Sequence, residues 1–124
     1  MIDNQVRIGV IGVGHLGQHH VKHYKTLDSV ELIGVFDINR ERSSEISKKF
    51  NVKVFDDLNS ILEEVDALSI VTNTEHHYKT AEKCLRSKKH VFIEKPITAV
   101  VEEADELLSM AEQNRVLILS LIHI

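Results

Sequence analysis

The chain has 124 residues, 43% of them hydrophobic and 27% charged, with a formal net charge of -4, the profile of one globular domain large enough to bury a single core. That charge gives no basic footprint for nucleic acid, and apolar runs such as "VIGV" and "VLIL" are too short to cross a bilayer. The opening "MIDNQVRIGV" lacks the leader of an exported protein, and the single cysteine, Cys84, suits a reducing, cytoplasmic setting.

In chain order, "VRIGVIG" (6–12) is β-branched and apolar, as a strand buried on both faces is. From His15 to Leu27 the apolar residues Leu16, Val21, Tyr24 and Leu27 recur at helical spacing. "VELIGVFD" (30–37) reads as a second strand, and "NRERSSEISKKF" (39–50) as a charged surface helix showing only Ile46 and Phe50 to the core. A third strand, "VKVF" (52–55), and a short helix, "DLNSILEEV" (57–65), lead to a fourth strand, "DALSIVT" (66–72). A helix over 75–87 aligns His77, Ala81, Cys84 and Leu85 on one face, which makes Cys84 a small core residue rather than a nucleophile. "HVFIE" (90–94) is a fifth strand. Thr98 is placed to cap the helix "AVVEEADELLSMAEQN" (99–114), with a stripe of Val101, Ala104, Leu108 and Ala111, and "RVLIL" (115–119) is a sixth strand.

Strands alternating with helices in this way predict an α/β fold: a doubly wound parallel sheet of six strands with helices on both faces, the Rossmann arrangement. In that fold ligands gather at the carboxyl ends of the strands.

The loop after the first strand reads Gly12-Val13-Gly14-His15-Leu16-Gly17. A G-x-G-x-x-G pattern is weak alone, but here it follows a strand, opens a helix and precedes a second strand that ends in Asp37, 20 residues beyond Gly17. Gly12 permits a tight turn, Gly14 clears space for a pyrophosphate, and Gly17 lets helix and strand pack closely. The backbone N–H groups of His15 and Leu16 then face the phosphates. The Asp37 carboxylate suits the ribose hydroxyls of NAD and repels the 2′-phosphate of NADP, so NAD is the expected cofactor. Arg40 would favour NADP if Asp37 turned away. The dense histidines His15, His19, His20 and His23 lack an accompanying Cys, Asp or Glu cluster, and a metal on His15 would block the pyrophosphate, so no metal site is expected.

Two further strand ends carry polar residues. "VTNTEHHY" (71–78) places Thr72 and Asn73 to contact the ribose or nicotinamide. "IEKPIT" (93–98) holds the one proline of the chain, Pro96, which fixes the backbone just after Lys95. Lys95, beside Glu94, could position a substrate or aid proton transfer, although "EKP" read alone is a surface turn.

"GVIGVGHLGQHH", "VFDINRER" and "VTNTEHHYKTAEKCLRSKKHVFIEKPIT" together resemble the N-terminal domain of the Gfo/Idh/MocA family, and "KHVFIEKPIT" is the most specific segment. The resemblance implies that Lys95 is catalytic and lies beside the nicotinamide, that Glu94 fixes it, that Lys95, Glu94 and His77 belong to the cofactor site, and that His20 occupies a familiar family position. Asn73 departs from the pattern, because the family often has proline there. The family moves hydride between NAD(P) and a hydroxyl or ketone of sugars, cyclitols and related compounds, including nucleotide-linked amino sugars. A second, α+β domain supplies the substrate pocket, the usual D-x-x-x-H motif and the contacts of homo-oligomers. No D-x-x-x-H follows Lys95 here.

The ending Leu119-Ser-Leu-Ile-His-Ile124 equals the in-frame translation of CTGTCTCTTATACACATC, a transposase end sequence used in preparing sequencing libraries. Residues 119–124 are therefore expected to be an adapter scar, residues 1–118 the dinucleotide-binding domain, and the substrate domain missing. The expectation is the cofactor half of a truncated dehydrogenase, inactive alone, whose parent acts on a small sugar-like molecule. The rival is a stand-alone NAD(H)-binding or redox-sensing module without catalysis, against which Lys95 and Pro96 argue.

Overall fold

The computed structural model describes residues 5–72, 74–93 and 101–120. Its elements run β1 (Val6–Ile11), α1 (His15–Tyr24), β2 (Val30–Phe36), α2 (Arg40–Phe50), α3 (Leu58–Leu62), β3 (Ala67–Ile70), α4 (Thr74–Arg86), β4 (His90–Ile93), α5 (Val101–Asn114) and β5 (Ile118–Ser120). The five strands form one sheet in the order β2-β1-β3-β4-β5, every neighbouring pair parallel. The chain leaves β1 toward one edge and returns to β3 on the other side of β1. The crevice at the carboxyl ends of β1 and β3 is therefore the topological switch point where this architecture takes ligands.

Hydrophobic burial separates into two clusters. Val10, Val13, Val21, Val35 and Ile46 form one, with Tyr24 and Phe50 at its margin. The larger cluster joins Leu68, Ile70, Val91 and Ile93 of the sheet to Ala81, Cys84 and Leu85 of α4 and Leu107 and Ala111 of α5. Alternate residues of each strand point to opposite sides of a sheet, so apolar strands such as "RIGVI" feed both clusters at once. The α4 face His77, Ala81, Cys84 and Leu85 is buried as its spacing predicts.

The expected strand 52–55 is reduced to a single parallel bridge, Val35 to Val54, with Val35 N–H donating to Lys53 O and Phe55 N–H to Val35 O, each at 2.9 Å. The reason is lack of room. Asn51 closes α2 in the left-handed conformation, and Asp57 already caps α3 by accepting from Ser60 N–H. The stripe of α5 is also rotated: Leu107 and Ala111 are buried, whereas Val101 and Leu108 are exposed. Tyr78 of α4 donates its hydroxyl to the carboxylate of Glu106, the residue before the buried Leu107. Leu119 and Ser120 pair with Phe92 and Ile93 in β5; the cap expected from Thr98 lies outside the described residues. Among the described residues no helix is long and apolar enough to cross a membrane.

Burial pushes the Cys84 thiol up to about 12, so it stays protonated at any ordinary pH. A thiol-specific disulfide reagent near pH 8 is expected to leave Cys84 untouched in the native chain and to titrate it fully in guanidinium, because the thiolate is the reacting species. Rapid modification of the native protein would contradict the packing of α4 on the sheet.

Candidate functional site

The loop between β1 and α1 is shaped by contacts that only glycine permits at two places. Gly12 has φ +92, and a Cβ there would lie 2.8 Å from the carbonyl carbon of Val71. A Cβ on Gly17 would collide with the Gly12 carbonyl oxygen. Gly12 and Gly17 are thus dictated by backbone packing. Gly14 is not. Its φ is -68, an angle open to any residue, and a Cβ there would meet nothing nearer than the Arg42 guanidinium at 3.6 Å. Its bare backbone faces a cavity.

That cavity, of about 430 Å³, lies over the carboxyl ends of β1, β2 and β3 and is lined by Gly12, Gly14, His15 and Leu16 from the loop, Asp37 and Ile38 after β2, Val71 and Thr72 after β3, and Arg42, His76 and Thr80 from helices. Gly14 is the N-cap of α1 and has no side chain to satisfy the helix's first donors. The first intrahelical bond of the turn runs from Gln18 N–H to Gly14 O at 3.0 Å, so the earlier N–H groups, those of His15 and Leu16 among them, have no carbonyl four residues back. Together with the helix dipole they make a seat for an anionic oxygen.

Asp37 is only 7% exposed. Its Oδ2 accepts Val13 N–H at 2.9 Å and its Oδ1 accepts Asn39 N–H at 2.8 Å. Arg42 Nη1 stands 3.7 Å from Oδ2. The carboxylate thus lies at the cavity wall, as its position after β2 predicts, but it also ties the glycine loop to the start of α2. Arg42, rather than Arg40, is the cation in the lining. The helix begins at Arg40 and two steps of about 100° turn the chain back toward Asp37 and Gly14.

Other expected residues are placed less simply. Thr72 lines the cavity. His77 sits behind it, 1% exposed, donating from Nε2 to the Thr72 carbonyl at 2.9 Å; its neighbour His76 is the residue that reaches the lining. Leu16 is 54% exposed at the cavity mouth instead of joining the core stripe of α1, because that stripe is set by Val21 and Tyr24 against the sheet. Asn73, Glu94 and Lys95 lie outside the described residues. β4 ends at Ile93, in register with Ile70 of β3, which is in register with Ile11 of β1, so these strand ends share one edge. The histidines diverge: His15 and His19 stack edge-on at 4.9 Å, while His20 Nδ1 lies 2.9 Å from the buried Ser69 Oγ. Among the described residues no group of three metal-ligating side chains converges.

Ile38, Arg42, His76 and Thr80 were not picked out by sequence reasoning. Arg42 has a usable signal, as the third residue of a helix whose N-cap, Asn39, accepts its N–H. Ile38 is 79% exposed, and no periodicity distinguishes an apolar residue at a cavity rim from a core one.

A parallel sheet with a glycine loop at its switch point, a helix N-terminus open to anions and an acidic residue closing the second strand defines a dinucleotide-binding domain. The comparisons with known proteins narrow this. Residues 6–122 match the family model described as "Oxidoreductase family, NAD-binding Rossmann fold", that of Gfo/Idh/MocA, and the chain belongs to that family. It is 45% identical over 119 residues to a UDP-N-acetylglucosamine 3-dehydrogenase of Acidithiobacillus ferrooxidans, covering 96% of this chain and 37% of that protein. It is 31% identical to a myo-inositol 2-dehydrogenase of Thermotoga maritima, covering 91% and 35% respectively. A crystal structure of the Acidithiobacillus enzyme superposes with a TM-score of 0.90 at 42% identity, over 97% of this chain and 38% of that one. The chain therefore spans little more than a third of the length of these relatives.

The two kinds of glycine are separable by experiment. Gly17→Ala is expected to lower the melting temperature sharply or prevent folding, whereas Gly14→Ala should change stability by less than about 1 kcal/mol and weaken NAD binding at least tenfold in a calorimetric titration. Equal effects of the two substitutions on stability would overturn the assignment. Asp37→Ala leaves the buried Val13 N–H without its acceptor, and a loss of about 1–3 kcal/mol is expected in denaturant unfolding, along with weakened cofactor binding.

Proposed function

We propose that the chain is the cofactor-binding domain of an NAD-dependent dehydrogenase that moves hydride between the nicotinamide and a carbinol or carbonyl carbon of a sugar, cyclitol or nucleotide-linked sugar. The observation that carries this reading is Gly14, a glycine that neither conformation nor packing requires, at the N-terminus of a helix that opens into a cavity. The relatives named for sugar and inositol oxidation support the substrate class.

The residues fit the cofactor. The N–H groups of the first turn of α1 hold the pyrophosphate, Asp37 accepts from the adenosine ribose, and the exposed Ile38 offers an apolar wall to the adenine. Thr72 and Asn73 serve the nicotinamide side. When bound, the dinucleotide supplies the hydride acceptor or donor. Oxidation of an alcohol also releases the hydroxyl proton, and Lys95 is proposed to position that hydroxyl and take part in the proton's transfer, with Glu94 fixing the lysine. His77 acts at one remove by holding the Thr72 backbone. The substrate pocket and the contacts of a homo-oligomer are proposed to come from sequence that the relatives carry beyond the matched region, and the setting to be cytoplasmic.

Calorimetric titration of the chain with NAD tests the cofactor reading. In the product of the complete gene, assayed for NAD reduction with UDP-N-acetylglucosamine and with myo-inositol, Lys95→Ala should lower kcat by roughly a hundredfold or more. Absence of NAD binding, or full turnover by the Lys95→Ala enzyme, would count decisively against the proposal.

A further inference from the structure

We infer that Glu41 and Glu45, on the first two turns of α2, set the site against a 2′-phosphorylated cofactor, and that Arg42 is a latent phosphate anchor which they hold in check. The inference rests on the dinucleotide reading above and assigns its selectivity to residues outside the glycine loop.

A second cavity, of about 300 Å³, opens between the N-terminal ends of α1 and α2. It shares Gly14, His15 and Arg42 with the main cavity, and Gln18, Asn39, Glu41 and Glu45 complete its walls. A ribose held by Asp37 carries its 2′ substituent beside that carboxylate, and Arg42 stands 3.7 Å from it. A 2′ substituent there would lie next to Arg42, whose side chain lines both cavities.

Two helix N-termini and a guanidinium would by themselves welcome a phosphate. The charge on the walls reverses this. Glu41 and Glu45 in the wall of the second cavity add two carboxylates to that of the adjoining Asp37, against the guanidinium of Arg42 and the ammonium of Lys49, which reaches the wall residue Gln18 at 3.5 Å, and a phosphate monoester brings nearly two more negative charges. Like charges lining one small cavity destabilise one another even across water. Asp37 cannot be the adjustable part of this arrangement, because both its oxygens already accept backbone N–H groups of the fold. Glu41 and Glu45 are exposed, so their charge can be removed without disturbing the core.

The test is calorimetric titration of the 124-residue chain with NAD and with NADP near pH 8 at low salt, for the wild type, for Glu41→Gln/Glu45→Gln, and for that pair combined with Arg42→Gln. The wild type is expected to prefer NAD by at least tenfold. Removing the two carboxylates should raise NADP affinity about tenfold, leave NAD affinity within twofold, and lose most of this gain at about 0.5 M salt. Adding Arg42→Gln should abolish the gain. An unchanged NAD-to-NADP ratio in the double variant, or a gain that survives Arg42→Gln, overturns the inference while leaving NAD binding in place. A wild type that binds neither cofactor overturns the dinucleotide reading itself, and this inference falls with it.

Discussion

Two backbone N–H groups, from Val13 in the glycine loop and Asn39 at the start of α2, converge on the carboxylate of Asp37. They lie 24 and 2 residues from it in sequence, so one side chain decides how the β1–α1 turn sits relative to the β2–α2 turn. A carboxylate is suited to this because it accepts from two separate donors at once, and Arg42 beside it offsets the charge that burial would otherwise penalise. With that tie in place the first turn of α1 faces the cavity, and Arg42 falls across from Gly14. Ligand geometry and fold stability therefore meet in one residue, and substituting Asp37 perturbs both. A change of cofactor preference in an Asp37 variant would be difficult to interpret alone, which is why the charges on α2 are the cleaner handle.

The parts of the molecule that sequence discloses are those governed by local rules. Strand-like runs at regular intervals disclose a parallel sheet, and G-x-G-x-x-G followed by Asp37 discloses its ligand edge, since turn sterics and strand length fix both spacings. Three of the departures lie where spacing alone does not decide. Residues 52–55 are as β-branched as a strand needs, yet the caps of α2 and α3 leave them space for one bridge. The helix α5 carries apolar residues on two adjacent stripes, and periodicity cannot choose between Leu107 and Leu108; packing of Leu107 and Ala111 into the core shared with α4 and the sheet makes the choice. Leu16 has core spacing but lies at the mouth of the cavity.

The site follows the same division. Gly12, Gly14, Asp37 and Thr72 of the lining are legible because each stands at the end of a strand or in the turn that follows it, and Gly17, the third residue of α1, through the spacing of the glycine motif. Arg42, His76 and Thr80 enter the lining from helices, where a step of one residue rotates a side chain by about 100°. His77 illustrates the consequence: it is buried and linked to the Thr72 carbonyl, while the adjacent His76 reaches the cavity. The resemblance of the E-K-P segment to its family carried the reading of Lys95, where local chemistry alone described a surface turn.

The strand order also governs when this domain can assemble. β1 lies inside the sheet between β2 and β3, but its second neighbour, β3, begins at Ala67, and Asp66 just before it accepts the N–H of Arg7. During synthesis β1 must wait, paired on one side at most, while roughly 60 further residues are made, several seconds at about 5–20 residues per second. Parallel pairing of this kind offers few early local contacts, so loop closure precedes most of its reward. The edge of "RIGVI" that pairs with β3 therefore stays open until β3 has been made.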